Sequence, residues 1–210
     1  MGTGTDTDHV VPPVAAVRRI RADDAARMRA LRLEMLADSP LAFIERLADA
    51  AARPLHEYAE RAARSAVGDL IAQFVAETGP ATPQAGRTAT GQAGRTATPQ
   101  AGRTATEPTA DRRFVAHAGA HVWRDDPSVS VLFAVYISPA WRGRNLLAEL
   151  VDAVAAWSRA AGRPELLLEV VVGNDRAVRA YQRLGFADTG VRLPHPTRSD
   201  LTELQMRRPA

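Results

Sequence analysis

Hydrophobic and polar residues change period several times along the chain, and each change predicts an element. Val14 to Arg21 reads as a first strand. Met28, Leu31, Met35 and Leu36 then recur at helical spacing behind Asp23 and Asp24, which predicts a helix capped by one of the two acids. It runs to about Ala37, and Ser39-Pro40 ends it. A second helix is predicted from Pro54 to about Arg64. Leu70 to Glu77 and Arg113 to Trp123 are strand-like and form a hairpin. Ser130 to Ser138 (SVLFAVYIS) and Leu166 to Val172 (LLLEVVV) are apolar on both faces, the mark of central strands. Between them the segment Pro139 to Asn145 turns into a helix running to about Ala161, with Leu146, Leu147, Leu150, Val151, Val154 and Trp157 on helical spacing. Asn174 to Leu184 is a capped helix ended by Gly185, and Phe186 to Leu193 and Leu201 to Arg207 are the last strands. Helices packed on a mixed sheet follow from this order.

One stretch breaks the pattern. Ala81 to Thr88 (ATPQAGRT), Ala89 to Thr96 (ATGQAGRT) and Ala97 to Thr104 (ATPQAGRT) repeat at a period of eight. No unit offers a large apolar side chain, so the stretch cannot offset its ordering entropy. Residues 79–110 therefore read as a low-complexity insertion in the hairpin loop, and residues 1–13 as a disordered tail. Loop closure grows only logarithmically with length, so the hairpin survives. The remainder, residues 14–210, reads as one domain.

Composition narrows the class. The 210 residues are 46% hydrophobic and 24% charged, which fits a globular chain. There is no Cys, which removes disulfides, thiolate nucleophiles and Cys-based metal sites. No apolar run approaches about 20 residues, and the N-terminus has no apolar signal core. A soluble, cytoplasmic protein is the expectation. All 27 basic residues are Arg, and Arg87, Arg95 and Arg103 of the repeat account for the net charge of +3. The rest of the chain is neutral, which argues against nucleic acid as a partner.

Two strand-to-helix junctions carry the chemistry. At the first, the free N–H groups of residues 143–147 and the positive end of the helix would form an anion site. Arg142 and Arg144 add charge, and a diphosphate is the natural ligand. The plainer alternative is a helix start capped by Asn145. At the second, Asn174-Asp175 caps a helix bearing Ala177, Val178, Tyr181 and Leu184; alone, this reads as a cap and a core tyrosine. Glu169 is the sole charge in its strand, so burial is expected to raise its pKa towards that of a base; a structural Glu paired with an Arg is the alternative. His117 and His121 share a strand face about 13 Å apart, too far to share a metal. One of them lining an acceptor pocket stands against two solvated imidazoles. His9, His56 and His195 sit in tail or loop contexts and receive no role.

Taken together, Ile137-Ser138-Pro139-Ala140-Trp141-Arg142-Gly143-Arg144-Asn145-Leu146-Leu147 and Leu168-Glu169-Val170-Val171-Val172-Gly173-Asn174-Asp175-Arg176-Ala177, followed by Tyr181 and Leu184-Gly185-Phe186, resemble the GNAT acetyltransferase superfamily. The first is similar to its [Arg/Gln]-x-x-Gly-x-[Gly/Ala] pyrophosphate signature, the second to its LxVxxxNxxAxxxYxxxGF segment. The resemblance covers residues 14–78 and 111–210. It departs at Asn145, where the family has glycine, and at Leu147, where it has a small residue. Asn tolerates unusual backbone angles, while Leu147 is harder to accommodate.

The resemblance implies an α/β fold with a mixed, mostly antiparallel central sheet flanked by helices and two central strands that splay apart. It implies an N-acetyltransferase moving acetyl from acetyl-CoA to an amine of a small molecule or peptide in a ternary complex. The backbone near Tyr136 and Ile137 would pair with the pantetheine arm, which Asn174 would also bind. Residues Arg142 to Leu147 would take the diphosphate, and Tyr181 would protonate the departing thiolate. Many relatives dimerise, so a homodimer is compatible. A non-catalytic module that binds acyl-CoA or scaffolds partners is the alternative reading.

Overall fold

The structure, a computed structural model, describes residues 14–79 and 112–210. The tail at 1–13 and nearly all of the 79–110 insertion lie outside the described residues. In chain order come β1 (Ala15–Arg19), α1 (Ala25–Asp38), α2 (Leu47–Ala52), α3 (Leu55–Ala66), β2 (Ile71–Thr78), β3 (Phe114–Val122) and β4 (Val129–Ile137). Then follow α4 (Leu146–Ala160), β5 (Glu165–Val171), α5 (Asp175–Arg183), β6 (Ala187–His195) and β7 (Arg198–Pro209). The hydrophobic periodicity anticipates every element except α2, whose six Ala-rich residues bury Ala50 alone and so leave no stripe to read. No described helix is long and apolar enough to cross a membrane.

The strands form one sheet in the order β1-β2-β3-β4-β5-β7-β6. Only β4 and β5 run parallel; every other neighbouring pair is antiparallel. The β2–β3 hairpin stays bonded to its open end, where Thr78 N donates to the Arg113 carbonyl at 3.0 Å. Helix α4 covers one face, burying Leu150, Val151 and Val154 against Phe74, Leu132, Leu168 and Met206. Helices α1 and α3 cover the other over β1–β4, with Met28, Leu31, Met35 and Ala62 against Ile20, Val75, Phe114 and Tyr136. Each such Leu or Met contributes about 1.5–3 kcal/mol by burial.

Two irregularities position the site. Pairing of β4 with β5 stops at Leu132 and Leu168, although β4 continues to Ile137 and β5 to Val171, so the two strands open into a V. Helix α4 leaves from one arm of the V and α5 from the other. Along its other edge β4 bulges: His117 faces Tyr136 and Gly119 faces Phe133, so Ala118 alone opposes Ala134 and Val135. Ala134 takes φ +50°, in the left-handed region. The ring of Phe133 lies over Gly119 so closely that a Cβ there would come within 2.4 Å of it.

Asp24 does not cap α1 through its side chain as expected. Its fully buried carboxylate accepts from Arg18 at 2.7 Å and also pairs with Arg27. Both guanidiniums bridge on to Glu77. This cluster ties β1, β2 and α1 together.

Candidate functional site

The turn into α4 is built on two left-handed residues, Gly143 at φ +78° and Asn145 at φ +65°. Asn145 stands at the N-cap, but its side chain makes no capping bond. The first helical bond runs from Glu149 N to the Asn145 carbonyl at 3.2 Å, so the amides of Leu146, Leu147 and Ala148 precede the ladder. They point the positive end of the helix outward. Leu146 is core, and Leu147 packs half-buried against the same core. The adjoining cleft keeps a volume of about 520 Å³ with Leu147 on its wall, so that side chain does not plug it.

The arginines differ from expectation. Arg142 turns away from the helix amides: Nε donates to the Ile137 carbonyl at 3.0 Å and a terminal nitrogen pairs with Asp38 at the end of α1. The Ser39 hydroxyl and then Arg142 hold the Asp38 carboxyl below its usual range. The guanidinium of Arg144 stacks over Trp141, 4.9 Å from the ring centroid. Arg176, on the first turn of α5, lines the cleft and supplies a charge that was not anticipated.

The cleft continues along the edge of β4 that β5 has left unpaired, past Val135, Tyr136 and Ile137, to α5. Asn174 Oδ1 accepts from Ala177 N at 3.2 Å and caps α5, so only its Nδ2 end is left for a ligand. Tyr181 is half-buried, edge-on to Phe186 at 5.7 Å, and its hydroxyl has no hydrogen-bond partner among the described residues. Burial pushes its pKa up, so it keeps its proton at neutral pH. The Tyr136 side chain lies on the opposite face of the sheet, donating to Glu34 at 3.2 Å. Burial first, and Glu34 after it, raise the Tyr136 pKa. Only the main chain of Tyr136 can therefore serve the open edge, and the Ile137 carbonyl is already taken by Arg142.

Glu169 corrects the sequence reading: it is exposed, so the burial that would have made it a base is absent. It points away from α4, on a face of β5 that the apolar pattern could not distinguish from the buried one. His117 is neither solvated nor in a pocket. It is 2% exposed and donates from Nδ1 to the Ala134 carbonyl at 2.7 Å, holding the bulge in place. Burial lowers its pKa to about 4, so the ring is neutral and Nε2 can only accept. That requirement assigns the amide nitrogen of Gln73 to the contact at 2.9 Å and its oxygen to the Ser65 hydroxyl at 2.8 Å. His121 stacks on Phe133 at 5.5 Å.

Sequence reasoning passed over Phe43, His195 and Glu203. Phe43 lines both the first cleft and a second one of about 480 Å³, which also contacts His195. His195 is only 6% exposed. Glu203 is half-buried on β7; burial raises its pKa, His195 opposes that shift and Glu169 adds to it. The Pro194-His195-Pro196 stretch gave the imidazole the look of a loop residue, and β-pairing alone brings Glu203 beside β5.

Residues 94–186 match the family described as the acetyltransferase (GNAT) family. Mycothiol acetyltransferase of Corynebacterium glutamicum is 38% identical over 65 residues, which make up 31% of this chain and only 22% of that protein. An acetyltransferase of the GNAT family from Streptococcus pneumoniae superposes with a TM-score of 0.65 at 15% identity, over 94% of this chain and 100% of that one. The protein yncA of Salmonella typhimurium, solved with its cofactor acetyl-CoA, gives 0.59 at 17% identity, over 93% and 94% of the two chains. The matched residues span the α4 turn and the segment from Asn174 to Phe186, and the solved structures share the fold, so over this part of its length the chain is similar to the GNAT acetyltransferase family.

Proposed function

We propose that the protein transfers an acetyl group from acetyl-CoA to a primary amine of a small molecule or peptide, by direct attack with both substrates bound. One observation carries this reading: the unpaired amides at the start of α4 open onto a cleft that runs along the free edge of β4 to Tyr181. Such a channel fits a ligand with phosphates at one end and a reactive group at the other. The Salmonella typhimurium relative with its acetyl-CoA supports the identity of that ligand.

The amides of Leu146, Leu147 and Ala148 would hold the diphosphate, with Arg176 adding charge. Arg142 shapes the turn through Ile137 and reaches the phosphates only by leaving Asp38. The open edge of β4 would accept the amide-bearing arm as a further strand, and the Asn174 Nδ2 end would bond the same arm. Tyr181 holds a proton at Oη and would deliver it to sulfur as the C–S bond breaks. A main-chain N–H on the free edge of β4 would meet the negative charge growing on the carbonyl oxygen.

Isothermal titration with acetyl-CoA and free-thiol release over an amine panel test this together. Binding at one site, with thiol release that requires both amine and protein, is the expected result. Failure of millimolar acetyl-CoA to raise the melting temperature would leave the scaffold alternative.

A further inference from the structure

The second cleft lies between the segment after α1 and the β6–β7 turn, and it meets the first at Phe43. Leu36, Leu41, Ile44 and Leu47 form its apolar side, and Leu41 and Ile44 are 59% and 58% exposed. His195 faces them. Thr197 N donates to its Nδ1 at 3.3 Å, which puts the ring proton on Nε2, and that N–H meets no acceptor among the described residues. The residue is largely buried, and a ring N–H on the wall of a cleft is a donor set to bind an oxygen.

Next to His195, the sheet carries two carboxylates without a cation. Glu203 is opposite Val171 and Glu169 opposite Gln205, so the two acids are diagonal neighbours on one face, about 7–8 Å apart. Neither has an arginine partner among the described residues, whereas Asp24, Glu77, Glu165, Asp188 and Asp200 each do. Arg207, on the same face, gives its guanidinium to Glu165 at 2.8 Å. Glu169 is also the first residue of β5 beyond the split from β4. The acids therefore flank the root of the V on the face opposite α4, and the anion-binding amides of α4 lie at the other end.

Resting on the acetyltransferase reading above, we propose that this face takes the acceptor as a protonated primary amine on an apolar body that carries a hydrogen-bond-accepting oxygen. The ammonium sits between Glu169 and Glu203, the apolar body lies against Leu36, Leu41, Ile44 and Leu47, and the oxygen receives Nε2–H of His195. Glu203 takes one proton from the ammonium and releases it to solvent. The freed nitrogen forms the N–C bond as C–S breaks. Tyr181 gives its proton to sulfur and is restored by the remaining surplus proton of the nitrogen through water.

The probe is phenylalanine amide, set against three analogues that each change one feature. Glycinamide lacks the apolar body, phenethylamine lacks the oxygen, and phenylalanine adds a carboxylate. KM is expected to be lowest for phenylalanine amide and at least tenfold higher for glycinamide and for phenylalanine. Glu203→Gln is expected to raise KM for phenylalanine amide tenfold or more and to weaken its binding to the CoA-loaded protein, read by calorimetry, to the same degree. His195→Gln should narrow the preference for phenylalanine amide over phenethylamine. The exposed Glu169→Gln, which leaves folding untouched, should raise the same KM severalfold. Acetyl-CoA affinity is measured in every variant. If that affinity is normal and amines are acetylated, but the panel shows no order or the Glu variants change nothing, this proposal fails and the acetyltransferase reading stands. If acetyl-CoA does not bind the parent protein, the acetyltransferase reading itself fails.

Discussion

At the scale of single residues the α4 turn depends on Asn145 holding φ +65°, ψ 0°. A left-handed backbone costs most side chains about 1–2 kcal/mol, and Asn and Gly far less. Asn145→Gly is therefore expected to leave the melting temperature and acetyl-CoA affinity close to those of the parent. Asn145→Val should lower stability by about 1–2 kcal/mol in urea unfolding and weaken acetyl-CoA binding roughly tenfold by calorimetry. Tyr181 is tested differently, because its proposed work is proton transfer: Tyr181→Phe should lower kcat by about 100-fold and leave acetyl-CoA affinity unchanged. The backbone role of Asn145 was legible in the sequence, since residue type alone limits φ. The posture of Arg142 was not, because its partner Asp38 is 104 residues away in the chain and ends α1, a helix that covers the other face of the sheet.

At the scale of elements, the long apolar strands and helices were readable because burial on one or both faces leaves a period in the sequence. The V between β4 and β5 left none: Leu166 to Leu168 and Val170 to Val171 are apolar on both sides of the point where pairing stops, and the single charge of Glu169 between them fits a paired strand as well as a split one. The bulge was equally silent, since it is a mismatch between β3 and β4 rather than a property of either. The hairpin of β2 and β3 yields a prediction of its own. It is bonded as far as Thr78 and Arg113, so its register does not depend on what joins the two ends. The octapeptide units between them bring nothing to bury, which limits their effect to the cost of closing a loop. Replacing residues 80–111 with a link of four polar residues shortens the loop by three doublings, so stability is expected to rise by no more than about 2 kcal/mol. Thiol release should be unchanged. A loss of stability or turnover on replacement would mean that the repeat contributes contacts.

For the whole molecule, the groups that titrate between neutral pH and pH 4 decide how stability depends on acid. His117 is the main one. Its folded pKa of about 4 lies below the ordinary value of 6.5, because burial disfavours the charged ring. Between those two values the unfolded chain binds the proton and the folded one does not, so stability falls as pH is lowered from about 6.5 towards 4. A shift of that size corresponds to roughly 3 kcal/mol. Glu203, raised by burial, has the opposite sign and partly offsets the loss above its ordinary pKa. Asp24 and Glu77 are held low by Arg18 and Arg27 against the burial that would raise them, so their contribution is lost from the ordinary carboxylate range downward, where the unfolded chain takes up protons that the folded one does not. The windows are therefore separable. Urea unfolding at pH 7.5, 6.5, 5.5 and 4.5 should show a progressive loss in the parent protein. His117→Gln should start less stable at pH 7.5, because Ala134 loses the donor that fixes its bulge. It should then show a much flatter dependence down to pH 4.5. Equal slopes in the two proteins would mean that His117 is not the neutral clamp on β4 and that the acid sensitivity arises in the carboxylates instead.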